Sequence, residues 1–265
     1  MYFSLPLRLS VLRFQPALSR FVPPFSSRYS FIGGIDLDFF QPRTIEERDN
    51  YIAFLTEAIP QWHHQGLAVS LTLHPRQGRM IPPSVYELLD RIHFMTYDMA
   101  HDINNRDGSK YHASIIKVRH AVEELLADAK GLERNKVLLG IPAYARQTHN
   151  PSQVKTFSEI YDDIRIEHES NQNPSKDVRE FLLGDTEGDL HSWSGYEWES
   201  PKRIRAKVDL AKDLNLGGVF FWEIGQDKGI DEHPRGILLE TAMAAVYEIF
   251  PTLLETSKSQ RDTEL

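Results

Sequence analysis

The chain has 265 residues, 41% hydrophobic and 26% charged, with a formal net charge of −8 and no cysteine. This size and composition suit one large α/β barrel or one to two ordinary domains with a packed core. They exclude disulfides, cysteine-ligated zinc, iron–sulfur clusters and a thiol nucleophile. The acidic balance argues against a general nucleic-acid binder, and no apolar run reaches the roughly 18 residues of a transmembrane helix.

The charge is unevenly spread. Residues 1–35 carry Arg8, Arg13, Arg20 and Arg28 but no lysine and no acid, so all 38 acidic residues lie after them. An opening segment rich in Arg, Ser and Pro and free of acids has the composition of an organelle transit peptide. Two other readings stand beside it: a leader without fixed structure, and a first strand over Arg8–Phe14, where apolar and polar residues alternate.

From residue 31 strand and helix patterns alternate. Phe31–Phe39 reads as a buried strand. Thr44 with Glu47 forms a capping box for a helix running to about His64 and ending near Gly66. Leu67–Leu73 is a second strand, Pro83–Asp90 a short helix and Arg91–Tyr97 a third strand. A polar loop then leads through Tyr111 to a long amphipathic helix over Ser114–Lys130, stopped by Gly131. Val137–Ile141 is a fourth strand, ended by Pro142. Residues 147–200 read as irregular, with a helix at Ser158–Glu169 and a hairpin around Glu180–Trp198. Pro201 opens a helix to Leu214, Gly217–Trp222 is a fifth strand, and Arg235–Phe250 is a closing helix. Strands separated by helices imply parallel βαβ units. The expected organisation is a leader over 1–30, a barrel-type domain over 31–252 and a polar tail over 253–265.

The chemistry lies at the ends of the strands. Side chains alternate at period two, so Asp36, Asp38 and Phe40 share one face of the first strand while Ile35, Leu37 and Phe39 share the other. Two carboxylates on a buried face are costly unless hydrogen-bonded or sharing a proton, and their closeness raises the pKa of one. Such a pair either does chemistry or braces a barrel interior. A metal site at Asp-x-Asp lacks a matching His or Glu cluster.

Four segments, in order, resemble the motifs of family-18 glycoside hydrolases, the chitinases and chitinase-like lectins. Gly33-Gly34-Ile35-Asp36-Leu37-Asp38-Phe39-Phe40 resembles the Asp-Gly-x-Asp-x-Asp-x-Glu signature. Phe94-Met95-Thr96-Tyr97-Asp98 resembles the family's sixth strand, Leu139–Arg146 its seventh and Gly217–Glu223 its eighth. The resemblance implies a (β/α)8 TIM-type barrel with a sugar groove at its C-terminal face. It also implies a chitin or N-acetylglucosamine oligosaccharide partner, with no cofactor and no metal. In that family the substrate's own acetamide oxygen attacks the anomeric carbon, outside the usual two-carboxylate scheme. Carried over, Asp38 orients the acetamide, with Asp36 as its supporting partner. Tyr97 hydrogen-bonds the acetamide and Asp98 contacts the sugar. Trp222 forms the floor beneath the cleaved sugar, while Met95, Tyr144 and Arg146 line the groove.

The sequence departs from the family in two ways. Phe40 occupies the position of the proton-donating glutamate, Gly33 replaces the first aspartate, and Gln41 replaces the usual tyrosine. Glu46 and Glu47 fall on the next helix, out of reach of the scissile bond. A general acid contributes about 10²–10⁴-fold to rate, so the expectation is a chitinase-like domain that binds but cleaves little or not at all. A lectin that only binds and a hydrolase with another donor are the alternatives. Secondly, at roughly 30 residues per βα unit, about 90 residues should precede the strand that carries the signature, and only about 30 do. The expected fold is therefore a partial barrel of about five parallel strands, corresponding to barrel strands 4–8. A truncated paralogue or an incomplete gene would explain both departures. Unpaired sheet edges would invite self-association. The family resemblance favours an extracellular location, against the transit-peptide composition of the opening segment. Asp102–Gly108, which has the look of a calcium loop, reads as a turn because Arg106 falls at a ligand position.

Overall fold

The computed structural model describes residues 2–6, 33–38, 42–99, 111–170 and 192–249. In chain order the strands and helices are β1 (Tyr2–Pro6), β2 (Gly34–Asp38), α1 (Ile45–His64), β3 (Ala68–Leu73), α2 (Pro83–Leu88), β4 (Arg91–Phe94) and α3 (Ile115–Asp128). Then follow β5 (Val137–Pro142), β6 (Tyr144–Gln147), β7 (Val154–Thr156), α4 (Phe157–Ser170), β8 (Ser192–Trp193), β9 (Tyr196–Glu197), α5 (Pro201–Asp213), β10 (Gly218–Trp222) and α6 (Ile237–Ile249). All five expected strands form, each within three residues of its expected ends. They are the parallel strands of a (β/α)8-type fold, in part. The chain divides into two compact units, Met1–Met95 with His120–Leu138, and Thr96–Arg119 with Leu139–Leu265.

In the first unit β1, β2, β3 and β4 lie side by side in that order, all parallel. Strand β1 lies inside the segment read as a leader; Arg8–Phe14, where the sequence suggested a first strand, lies outside the described residues. The Tyr-Phe-Ser-Leu run of β1 is uncharged and aromatic, which suits a strand. Helix α1 starts as expected. The Thr44 hydroxyl accepts from Glu47 N at 3.0 Å, while the Glu47 carboxylate accepts from Arg43 N at 2.6 Å, one residue earlier than the capping-box pattern. Its buried residues Tyr51, Leu55, Ala58, Ile59 and Trp62 recur at helical spacing and form one apolar stripe. The chain leaves α1 through Gly66 at φ +76°, a conformation that favours glycine. Val69, Leu71, Leu73, Ile92 and Phe94 complete the core on the helix side of the sheet.

In the second unit β5 neighbours β10, and a separate antiparallel sheet runs in the order β7-β6-β9-β8. Its β8–β9 hairpin falls inside the hairpin expected around Glu180–Trp198, whereas β6 and β7 correct the reading of the preceding residues as irregular. The hairpin turns at Ser194 and Gly195, both at positive φ (51° and 79°), the backbone of a tight two-residue turn. Helix α5 opens on Ser200, whose hydroxyl accepts from Arg203 N, with Pro201 at its first position. It also buries a cation. Lys207 donates to the Glu199 carboxylate, which accepts a second bond, 2.7 Å long, from the Tyr111 hydroxyl. Lys207 and Glu199 are both essentially inaccessible to solvent. Burial pushes the Lys207 ammonium pKa down, and the adjacent Glu199 opposes that push. The Arg203 guanidinium lies 4.2 Å from the centre of the Tyr111 ring.

Candidate functional site

The sequence-predicted site residues fall into two groups, one in each unit. The first is built on β2. Asp36 is buried and Asp38 half-buried. The parallel register sets Ser70 beside Asp36, Thr72 beside Asp38 and His93 beside Thr72. Three side chains converge on Asp36. The Ser70 hydroxyl donates to Oδ1 at 2.5 Å, His93 Nδ1 lies 2.6 Å from the same oxygen, and the Thr72 hydroxyl donates to Oδ2 at 2.7 Å. Burial works against ionisation of Asp36, but these bonds and the His93 charge outweigh it and its pKa lies below the ordinary value. Asp38 goes the other way: burial, then repulsion from Asp36, raises its pKa, with His74 opposing. The two carboxyl groups thus differ in acidity, as their spacing on one strand face implies. Tyr51 on α1 is buried nearby, and burial together with both aspartates pushes its phenol pKa up.

The second group is built on the segment after β4 and on β6. Asp98 sits at φ +60°, a left-handed conformation that aspartate tolerates better than most residues. Its Oδ1 accepts from the Tyr144 hydroxyl at 2.6 Å and from Arg146 Nε at 2.5 Å. Burial alone would raise the Asp98 pKa, but the adjacent His112 imidazole, then the Arg146 and Tyr144 bonds, outweigh it and hold it well below the usual carboxylate range. The Asp98 backbone N–H donates to His112 Nδ1 at 3.0 Å. An amide nitrogen can only donate, so Nδ1 is the acceptor and the ring is neutral, with its proton on Nε2. The 3.4 Å approach of His112 Nδ1 to Asp98 Oδ1 is therefore not an ion pair. Burial, which lowers the His112 pKa, agrees with a neutral ring. His112 stacks on Tyr144 with ring centroids 5.3 Å apart, and the buried Tyr97 meets Tyr144 and Phe220 edge-on at 6.1 and 6.4 Å. Trp222, at the end of β10, is 39% exposed, and its carbonyl accepts from Ala143 N at 2.8 Å.

The structure brings Tyr97, Asp98, Tyr144 and Arg146 together in one hydrogen-bonded and aromatic cluster. Met95 is half-buried at the end of β4, its N–H bonded to the Leu73 carbonyl. Phe40 and Gln41, the calcium-like stretch 102–108, most of the leader and the tail lie outside the described residues. Glu46 is exposed on α1, and the Glu47 carboxylate is engaged in the helix cap. Among the described residues no group of three or more metal-ligating side chains could hold an ion.

A model of the Glycosyl hydrolases family 18 matches residues 9–227. The chain belongs to this family. The match begins inside the segment read as a leader and takes in all four motifs. A relative from Bacillus subtilis, described as a cortical fragment-lytic enzyme, is 27% identical over 210 residues, 72% of this chain and 45% of its own length. The chain thus spans under half the length of that relative. A family-18 chitinase from Cycas revoluta, solved with (GlcNAc)3, superposes with a TM-score of 0.56 at 21% identity, covering 80% of this chain and 68% of its own. A chitinase-like agglutinin from Robinia pseudoacacia gives 0.56 at 20% identity, covering 81% and 68%. At these identities the two structures establish the fold.

Sequence reasoning missed Ser70, Thr72, His93, Thr96 and His112. Ser70 and Thr72 occupy alternate positions of the apolar strand Leu67–Leu73, and two hydroxyls interrupting such a run signal a polar interior face. Thr96 lies inside the Met-x-Tyr-Asp motif and donates to the Gly140 carbonyl at 2.7 Å. His112 follows a polar loop and carries no local signal.

Proposed function

We propose that this family-18 domain binds N-acetylglucosamine polymers and has lost glycoside hydrolysis. The observation that carries the reading is the Asp36–Asp38 pair on one face of β2, followed two residues later by Phe40 where the family's signature has its acid. Asp38, with its raised pKa and its half-exposed position, suits the task of orienting a substrate acetamide and stabilising the ring that the acetamide oxygen forms. The Tyr97–Asp98–Tyr144–Arg146 cluster offers a fixed anion, a guanidinium and phenol edges, groups that match the hydroxyl and amide pattern of an amino sugar. The exposed ring of Trp222 offers an apolar face for a pyranose.

Phenylalanine has no proton to give. Expulsion of a sugar alkoxide without a general acid loses about 10²–10⁴-fold in rate, and a poor leaving group puts the loss at the upper end. The name of the Bacillus subtilis relative specifies a lytic activity, which favours a second reading in which another group supplies the proton. One experiment separates the two. Chitooligosaccharides are titrated into the full chain by calorimetry, and the cell contents are then analysed for shortened products. Binding with intact sugar supports the proposal. Shortened products support the second reading, and no heat at any accessible concentration overturns both.

A further inference from the structure

We propose that His93 is a positioning residue: its imidazole fixes the Asp36 carboxylate in one orientation and as an anion, leaving Asp38 as the member of the pair free to meet a ligand. The inference rests on the reading of the Asp36–Asp38 pair as the acetamide-handling site, and deepens it.

The geometry is specific. An ionised carboxylate is an acceptor only, with about four lone-pair sites on its two oxygens. Asp36 receives three side-chain partners, Ser70 and Thr72 from the adjacent β3 and His93 from β4 beyond it, two on Oδ1 and one on Oδ2. Among the described residues Asp38 makes no side-chain hydrogen bond. The Ser70 and Thr72 hydroxyls are rotors that either donate or accept, so alone they would accommodate a protonated Asp36. The imidazole is the one partner of the three able to carry charge, and its Nδ1 is within 2.6 Å with both side chains largely buried. In that setting a charge-assisted bond is short and strong. The titratable groups facing the pair are His93 from β4, His74 just beyond β3 and Tyr51 from α1. The opposite directions of the Asp36 and Asp38 shifts agree with this arrangement. An Asp36 free to take a proton would share it with Asp38 and turn the second carboxyl away from substrate. His93 prevents that exchange.

The test is a carboxyl-carbon NMR titration of the full chain, comparing the unaltered protein with His93→Leu and His93→Asn. The asparagine amide sits where Nδ1 sits and restores a neutral donor. In His93→Leu the Asp36 midpoint rises by about one to three pH units, and Asp38 moves in the opposite direction. His93→Asn recovers part of both shifts, a rescue that a space-filling role for His93 would not give. Unchanged Asp36 and Asp38 midpoints in folded His93→Leu overturn the inference. If the leucine variant does not fold, the unaltered protein decides: a far-downfield Nδ1 proton on His93 that vanishes in Asp36→Asn supports the bond, and its absence overturns it. Oligosaccharide calorimetry on the same samples keeps the two claims apart. Shifted midpoints without binding overturn the functional reading alone, and binding with unshifted midpoints overturns the His93 inference alone.

Discussion

Replacing Asp98 by Asn removes one charge and leaves the shape of the cluster unchanged. The amide oxygen still accepts from Tyr144, but Arg146 faces a neutral group in place of a carboxylate. Asp98 is 30% exposed and Arg146 22%, so water screens the pair only in part. A hydrogen bond to a charged partner is worth about 1.5–3 kcal/mol, and that is the loss expected for D98N at neutral pH. The pH dependence follows from the direction of the Asp98 shift. A carboxylate whose folded pKa is depressed contributes its stability fully above its unfolded value, near 3.8, and loses it as pH falls toward the folded value. The difference between the unaltered chain and D98N is therefore constant above about pH 5 and shrinks below pH 3.8. Urea unfolding at a series of pH values, followed by tryptophan fluorescence, reads the difference directly. A D98N gap that is the same at pH 3 and pH 7, or one below about 0.5 kcal/mol throughout, would refute the assignment of Asp98 as a strongly held anion.

Further outcomes follow from other contacts. Lys207→Ala strands the Glu199 carboxylate in the interior and costs about 3–5 kcal/mol in denaturant unfolding, whereas the double variant Lys207→Met with Glu199→Gln recovers most of that loss; equal costs for the two would contradict the buried-pair assignment. Thr44→Ala removes the α1 cap and lowers stability by about 1 kcal/mol, with Thr44→Ser near neutral. Trp222→Ala weakens chitooligosaccharide binding about tenfold or more by calorimetry, equivalent to about 1.4 kcal/mol, without moving the midpoint of thermal unfolding.

Much of the fold is legible in local signals. Helix α1 is announced by Thr44, Glu47, its apolar stripe and Gly66; α5 by Ser200 and Pro201; the parallel strands by short apolar runs between helices. Of the antiparallel sheet of β6, β7, β8 and β9, only the β8–β9 hairpin is, inside the one expected around Glu180–Trp198. The strands of this sheet are two to four residues long, too short to show a period, and Arg146 pairs with Glu197 fifty-one residues away. Strand β1 is hidden for a similar reason, since five residues before an arginine-rich stretch gain meaning only from their pairing with Gly34–Asp38. Within the candidate site, the motifs point to Asp36, Asp38, Tyr97, Asp98, Tyr144, Arg146 and Trp222. The residues that set their charge states, His93, Ser70, Thr72 and His112, become visible only when neighbouring strands and loops bring them within hydrogen-bonding distance.

Position 40 decides whether this domain cleaves or only binds. The decisive measurement is the rate of chitooligosaccharide cleavage by the full chain beside its Phe40→Glu variant, with binding recorded on the same samples. Both are expected to bind, the unaltered chain to release no shortened sugar, and the glutamate variant to gain turnover. Rapid cleavage by the unaltered chain, undiminished relative to Phe40→Glu, would contradict the loss of hydrolysis.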